Sequence, residues 1–97
     1  MIDLAAARAI AQGYVDQLRQ SSGSDVVIAE RDTMERPFGW VFFYNARASL
    51  ETGDTMAGLA GNAPLIVDRE TGEMHETGTA HPVEHYLREY EEARRAP

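Results

Sequence analysis

The sequence predicts an α+β fold: a four-stranded antiparallel meander flanked by N- and C-terminal helices packed on one face, in the order α-β-β-β-β-α. Apolar residues recur at helical spacing near both ends of the chain, and β-branched and aromatic runs bounded by Gly, Pro and Asp fill the middle. With 97 residues there is chain for one core and not for two. Residues 1–97 are therefore read as a single domain, and a meander with helices laid on it is the simplest arrangement consistent with that order.

The first helix is expected over residues 3–20. Asp3 caps it, with its carboxylate at the positive helix end. Ala7, Ile10, Ala11, Tyr14 and Leu18 fall at spacings of three and four and make one apolar stripe. Gly13 weakens the helix by about 1 kcal/mol against Ala, and Ser21-Ser22-Gly23-Ser24 ends it. Val26-Val27-Ile28-Ala29 reads as strand one, continued by the charged residues 30–36 into an exposed hairpin end. Trp40-Val41-Phe42-Phe43-Tyr44 reads as strand two. Alternation puts Trp40, Phe42 and Tyr44 on one face and Val41 and Phe43 on the other. A strand apolar on both faces is either central and covered twice or keeps one face for a partner.

Residues 49–64 hold three of the eight glycines and read as a loop, with one helical turn at residues 56–59. A loop of that length inside a small domain is often functional. Leu65-Ile66-Val67 is strand three. Asp68 to Gly72 is a turn with Gly72 placed for a positive φ, and residues 73–77 return as strand four. The last helix begins near Pro82, a residue well tolerated at the first helical position. Val83, Tyr86, Leu87 and Tyr90 form its apolar stripe, and Arg94 and Arg95 suit its negative end.

Nine basic residues stand against sixteen acidic ones, a formal charge of −7. All nine bases are Arg. An acidic surface disfavours phosphate backbones and anionic membranes, so neither nucleic acid nor a membrane is expected as partner. It suits a basic protein partner, whose approach it would steer. There is no cysteine, which excludes disulfides and cysteine catalysis. The start MIDLAAARAI has an acid where a signal peptide needs a base, so a cytoplasmic location is expected.

Catalytic constellations are weak. His81-Pro82-Val83-Glu84-His85 matches the H-x-x-E-H pattern of inverted zinc peptidases, which need two histidines one turn apart on a helix. Pro82 places His81 at or before the cap, and no third ligand has a motif, so no metal is expected. Glu51 with Asp54, and Asp68 with Glu70 and Glu73, lack a nucleophile or oxyanion donors beside them, and the turns they occupy are expected to be solvated. No phosphate loop and no nucleophile elbow is present. The expectation is a protein that is not an enzyme and carries no cofactor. For partner binding the candidates are Glu51, Asp54 and Asn62 on the Gly-rich loop, since loops on a rigid scaffold carry recognition. Trp40 and Tyr44 join them, since such aromatics dominate interface hot spots, although the same stripe also serves as core.

Several runs have a familiar order: Gly39-Trp40-Val41-Phe42-Phe43-Tyr44; Leu50-Glu51-Thr52-Gly53-Asp54; Leu59-Ala60-Gly61-Asn62-Ala63-Pro64-Leu65-Ile66-Val67-Asp68; Thr71-Gly72-Glu73; and Thr77-Gly78-Thr79-Ala80 before Pro82-Val83-Glu84 and Tyr86-Leu87. The set resembles the immunity protein 35 family, also called YrhB-like. The Gly-Asn-Ala-Pro run and the Thr-Gly-Thr-Ala run ahead of a Pro-led helix are its most specific parts, whereas the N-terminal helix matches only in kind. The resemblance implies a small cytoplasmic α+β protein of bacterial polymorphic toxin systems, a toxin–antitoxin setting in which it binds and neutralises a cognate toxin by stoichiometric binding. One family member is described as chaperone-like, so a chaperone-like small protein binding unfolded clients is the alternative. The resemblance carries no catalytic residues. Exposed strand edges allow either a monomer or a homodimer.

Overall fold

A computed structural model describes residues 1–52 and 63–95. Asp54, Asn62 and the expected helical turn at residues 56–59 lie outside the described residues. The elements, in chain order, are α1 (Leu4–Ser22), β1 (Val26–Ile28), a 3-10 turn (Glu30–Asp32), β2 (Met34–Arg36), β3 (Gly39–Phe42), β4 (Tyr44–Ala46), α2 (Arg47–Thr52), β5 (Leu65–Asp68), β6 (Met74–Glu76) and α3 (Val83–Arg95).

Helix α1 begins and ends on the signals in its sequence. The Asp3 carboxylate accepts from the Ala6 N–H at 2.9 Å, and Gly23, with φ 73°, donates its N–H to the Arg19 carbonyl. Only a residue at ease in the left-handed region closes the helix in this way without strain. Ala7, Ala11 and Val15 are buried, and the small alanines bring the helix close to the sheet.

The expected strands one and two form one long antiparallel hairpin that breaks into two sheets. β1 pairs with β4, while β2, β3, β5 and β6 form the four-stranded sheet in that order. Ile28 pairs with Tyr44 and Met34 with Val41. Six positions thus pass on one strand against three on the other, and the excess is the turn Glu30–Asp32. Three is odd, and side chains alternate with a period of two, so the turn reverses the phase of its strand. Val26 and Ile28 pack with the α1 side, whereas Met34 packs on the opposite side. The partner strand keeps its phase, and Trp40, Phe42 and Tyr44 stay on one face as the alternation predicts.

The α+β class, with a terminal helix at either end of antiparallel strands, agrees with the sequence reading. The packing of both helices on one face does not. Ala7, Ala11 and Val15 of α1 pack with Trp40, Phe42, Leu65 and Val67. Leu87 of α3 packs with Phe38, Val41 and Ile66. Neighbouring residues of β3 and β5 point to opposite faces, so the helices lie on opposite sides of the sheet. The physical reason is that β3 and β5 are central and apolar on both faces, and one helix layer leaves Val41 and Ile66 in water. Part of the expected loop is also helical, since α2 takes in residues 49–52. The Arg47 N–H donates to the Asp25 carbonyl, and its guanidinium pairs with the Asp25 carboxylate at 3.0 Å.

Two glycines have opposite meanings. Gly39 has φ 150°, and a Cβ there would meet the Val67 carbonyl oxygen at 2.1 Å. Gly39→Ala is expected to destabilise the domain by about 2–4 kcal/mol. A Cβ at Gly13 meets nothing within 4 Å. Gly13→Ala is expected to stabilise by about 0.5–1 kcal/mol and to raise the thermal midpoint by several degrees. Paired thermal melts of the two variants read both signs.

Candidate functional site

The face covered by α3 is organised by one carboxylate. Asp68 ends β5 and is 3% exposed. Its Oδ1 accepts the backbone N–H groups of Glu70 and Thr71, and its Oδ2 accepts the Tyr90 hydroxyl at 2.6 Å and Arg94 Nε at 2.9 Å. Burial pushes its pKa up, but the Tyr90 hydroxyl, the two N–H groups and Arg94 outweigh that, and the carboxyl sits below its ordinary value. Tyr90 is displaced upward by its own burial and by its bond to Asp68. Asp68 thus belongs to a buried network and not to a solvated turn, a correction to the sequence reading. Sequence alone shows Tyr90 and Arg94 one helical turn apart, but not the carboxylate they share.

This anchoring sets α3 beside β6 and leaves a groove of about 260 Å³ between them. Ile66, 2% exposed, lines it together with His75, Glu76, Thr77, Tyr86, Glu89 and Tyr90. The His75 and Tyr90 rings lie 5.2 Å apart. Glu89 accepts from His85 Nε2 at 2.8 Å, and Glu73 lies 3.4 Å from His75 Nε2. At the mouth, the Tyr86 hydroxyl accepts the N–H groups of Ala80 and His81 and so fixes the turn ahead of α3. Gly78 is small because a Cβ would press on that hydroxyl, 2.5 Å away. From the opposite face Tyr14 donates to Glu76, and that bond, with burial and the neighbouring Tyr44, displaces Tyr14 upward.

The residues singled out from sequence fall in three places. Trp40 and Tyr44 are 5% and 7% exposed and pack beneath α1, so their rings serve the core. Arg69 also covers Trp40, its guanidinium 4.8 Å from the ring centroid while its Nη2 holds Glu35 at 2.7 Å. Glu51 is exposed on α2, where it lines a second depression of about 570 Å³ with Arg47 and residues 27–32. Asp54 and Asn62 lie outside the described residues. His81 precedes α3, and its ring centroid lies 4.3 Å from that of His85. Among the described residues no group of three His, Cys, Asp or Glu is arranged to hold a metal ion. The groove escaped the sequence reading because its two walls, β6 and α3, come together only in the folded chain.

The sequence model of immunity protein 35 matches residues 5–93 of the chain, which takes in nearly all of α1, both sheets and most of α3. The chain belongs to the immunity protein 35 family. Within the immunity protein 35 fold described here, the motif residues Gly39, Gly72 and Gly78 each have a backbone or packing role. A curated relative, "Uncharacterized protein YrhB" of Escherichia coli (strain K12), is 58% identical over 53 residues, 55% of this chain and 56% of that protein. The match therefore spans little more than half the length of that relative. No solved structure matches the chain.

The Asp68 network predicts an acid limb of stability. Its folded value lies below the unfolded carboxyl value near 4, so the unfolded chain binds the extra proton between the two. The contribution is present above pH 4 and is lost as pH falls through the folded value. Asp68→Asn is expected to cost about 2–3 kcal/mol at pH 7 and to flatten the fall in stability below pH 4, as read by urea unfolding at a series of pH values.

Proposed function

We propose that this immunity protein 35 member neutralises a cognate bacterial toxin by stoichiometric binding in the cytoplasm, without catalysis and without a cofactor. The observation that carries the reading is the family match across residues 5–93. Charge supports it. Carboxylates exceed arginines by seven, and most arginines are already taken up in pairs such as Arg8–Glu30, Arg36–Glu84, Arg69–Glu35 and Arg94–Asp68. The remaining carboxylates give the surface a field that draws in a basic partner and repels phosphate. Among the described residues no helix is long and apolar enough to cross a membrane.

Co-expression with the toxin domain encoded at the same locus tests this. Growth is expected to be restored, and a 1:1 complex is expected on size exclusion with light scattering. The association rate is expected to fall by about tenfold or more between low and high salt, as steering predicts. Persistent toxicity together with no complex would overturn the reading.

A further inference from the structure

We propose that the outer edge of β6, with the groove beside it, receives an extended basic segment of the toxin, which adds a strand to the sheet and lays an arginine or lysine in the groove. The inference rests on the immunity reading above and names the surface that reading leaves open.

β6 ends the strand order, and its register shows which backbone groups are free. Asp68 N–H donates to the Glu73 carbonyl and Thr77 N–H to the Pro64 carbonyl. Residues 73, 75 and 77 therefore turn their hydrogen-bonding groups toward β5, as an antiparallel ladder alternates. The N–H and C=O groups of Met74 and Glu76 face away from it, and among the described residues no strand lies beside them. Such an edge is a template for an added strand.

The groove says what that strand carries. In an added antiparallel strand, the residue opposite His75 points to the same face as His75, toward Tyr90 and α3. There it meets the rings of Tyr86 and Tyr90 over Ile66, with the Glu89 carboxylate beside them and no arginine among the lining residues. Aromatic faces with carboxylates recognise a guanidinium or an ammonium. The domain uses the same combination internally, where Arg69 lies over Trp40 and pairs with Glu35. A second copy of the chain is a poorer occupant, because antiparallel self-pairing about His75 sets the two Glu76 side chains diagonal to one another on one face, where their like charges repel.

The probe is the toxin domain encoded at the same locus, with wild-type chain throughout as reference. In the 1:1 complex, the Met74 and Glu76 amides are expected to exchange at least about 100-fold more slowly than in the free chain. Glu89→Arg is expected to weaken binding by about tenfold or more with an unchanged thermal midpoint, while Asp16→Arg on the exposed side of α1 binds as wild type. If the β6 amides keep their free exchange rate in the complex, the surface is overturned. The same holds if Glu51→Arg abolishes binding while Glu89→Arg does not. Protection of those amides in free chain that is dimeric by sedimentation assigns the edge to a second copy and also overturns it. In each of these cases the wild-type complex still stands, whereas failure of wild-type chain to form any complex sinks the immunity reading itself.

Discussion

The fold turns on a carboxylate kept out of water. An ionised Asp at the end of a central strand costs several kcal/mol to bury unless it is paired and hydrogen-bonded. Asp68 meets that condition from two directions, with the N–H groups of its own turn on one oxygen and Tyr90 with Arg94 on the other. The turn it shapes carries Arg69, whose N–H donates to Phe38 and whose carbonyl accepts from Ile2. One corner of the sheet thus ties together the start of the chain, the β3 strand and the last helix.

The sequence reading reached most of the elements because their signals are local. Asp3 and Gly23 bound a helix wherever it packs, and Gly72 takes its positive φ in the turn after β5 as expected. It stopped where the information is carried between segments. The break in the first hairpin depends on three extra residues in one strand against its partner, and nothing in residues 30–36 taken alone announces it. The opposite placement of the helices was present in outline, since strand two is apolar on both faces. That reading and the expected one-face packing compete, and burial of Val41 and Ile66 decides between them.

The candidate site was legible in kind and not in position. An acid excess and an aromatic stripe were both visible, but Trp40 and Tyr44 carry large apolar surfaces in the middle of the chain, and burying them is worth more than displaying them. Of the aromatics that remain half-exposed, Tyr86 and Tyr90 come from the last helix, and the strand that faces them carries His75. Their assembly depends on how α3 is laid across the sheet, which is set by Asp68 at one end and by the Arg36–Glu84 pair at the other.

Because Tyr90 and Arg94 sit in the closing turns of α3, the chain is complete as a folding unit only when those turns are present. During synthesis the N-terminal helix waits for β3 and β5 before it has a surface to cover, and the second face of the sheet waits longer still. Without Tyr90 and Arg94, Asp68 keeps only the N–H groups of its own turn, and the strand that ends on it cannot be fully enclosed. A chain cut short in that helix therefore holds its hydrophobic segments but lacks the hydroxyl and the counter-charge that offset the burial of Asp68.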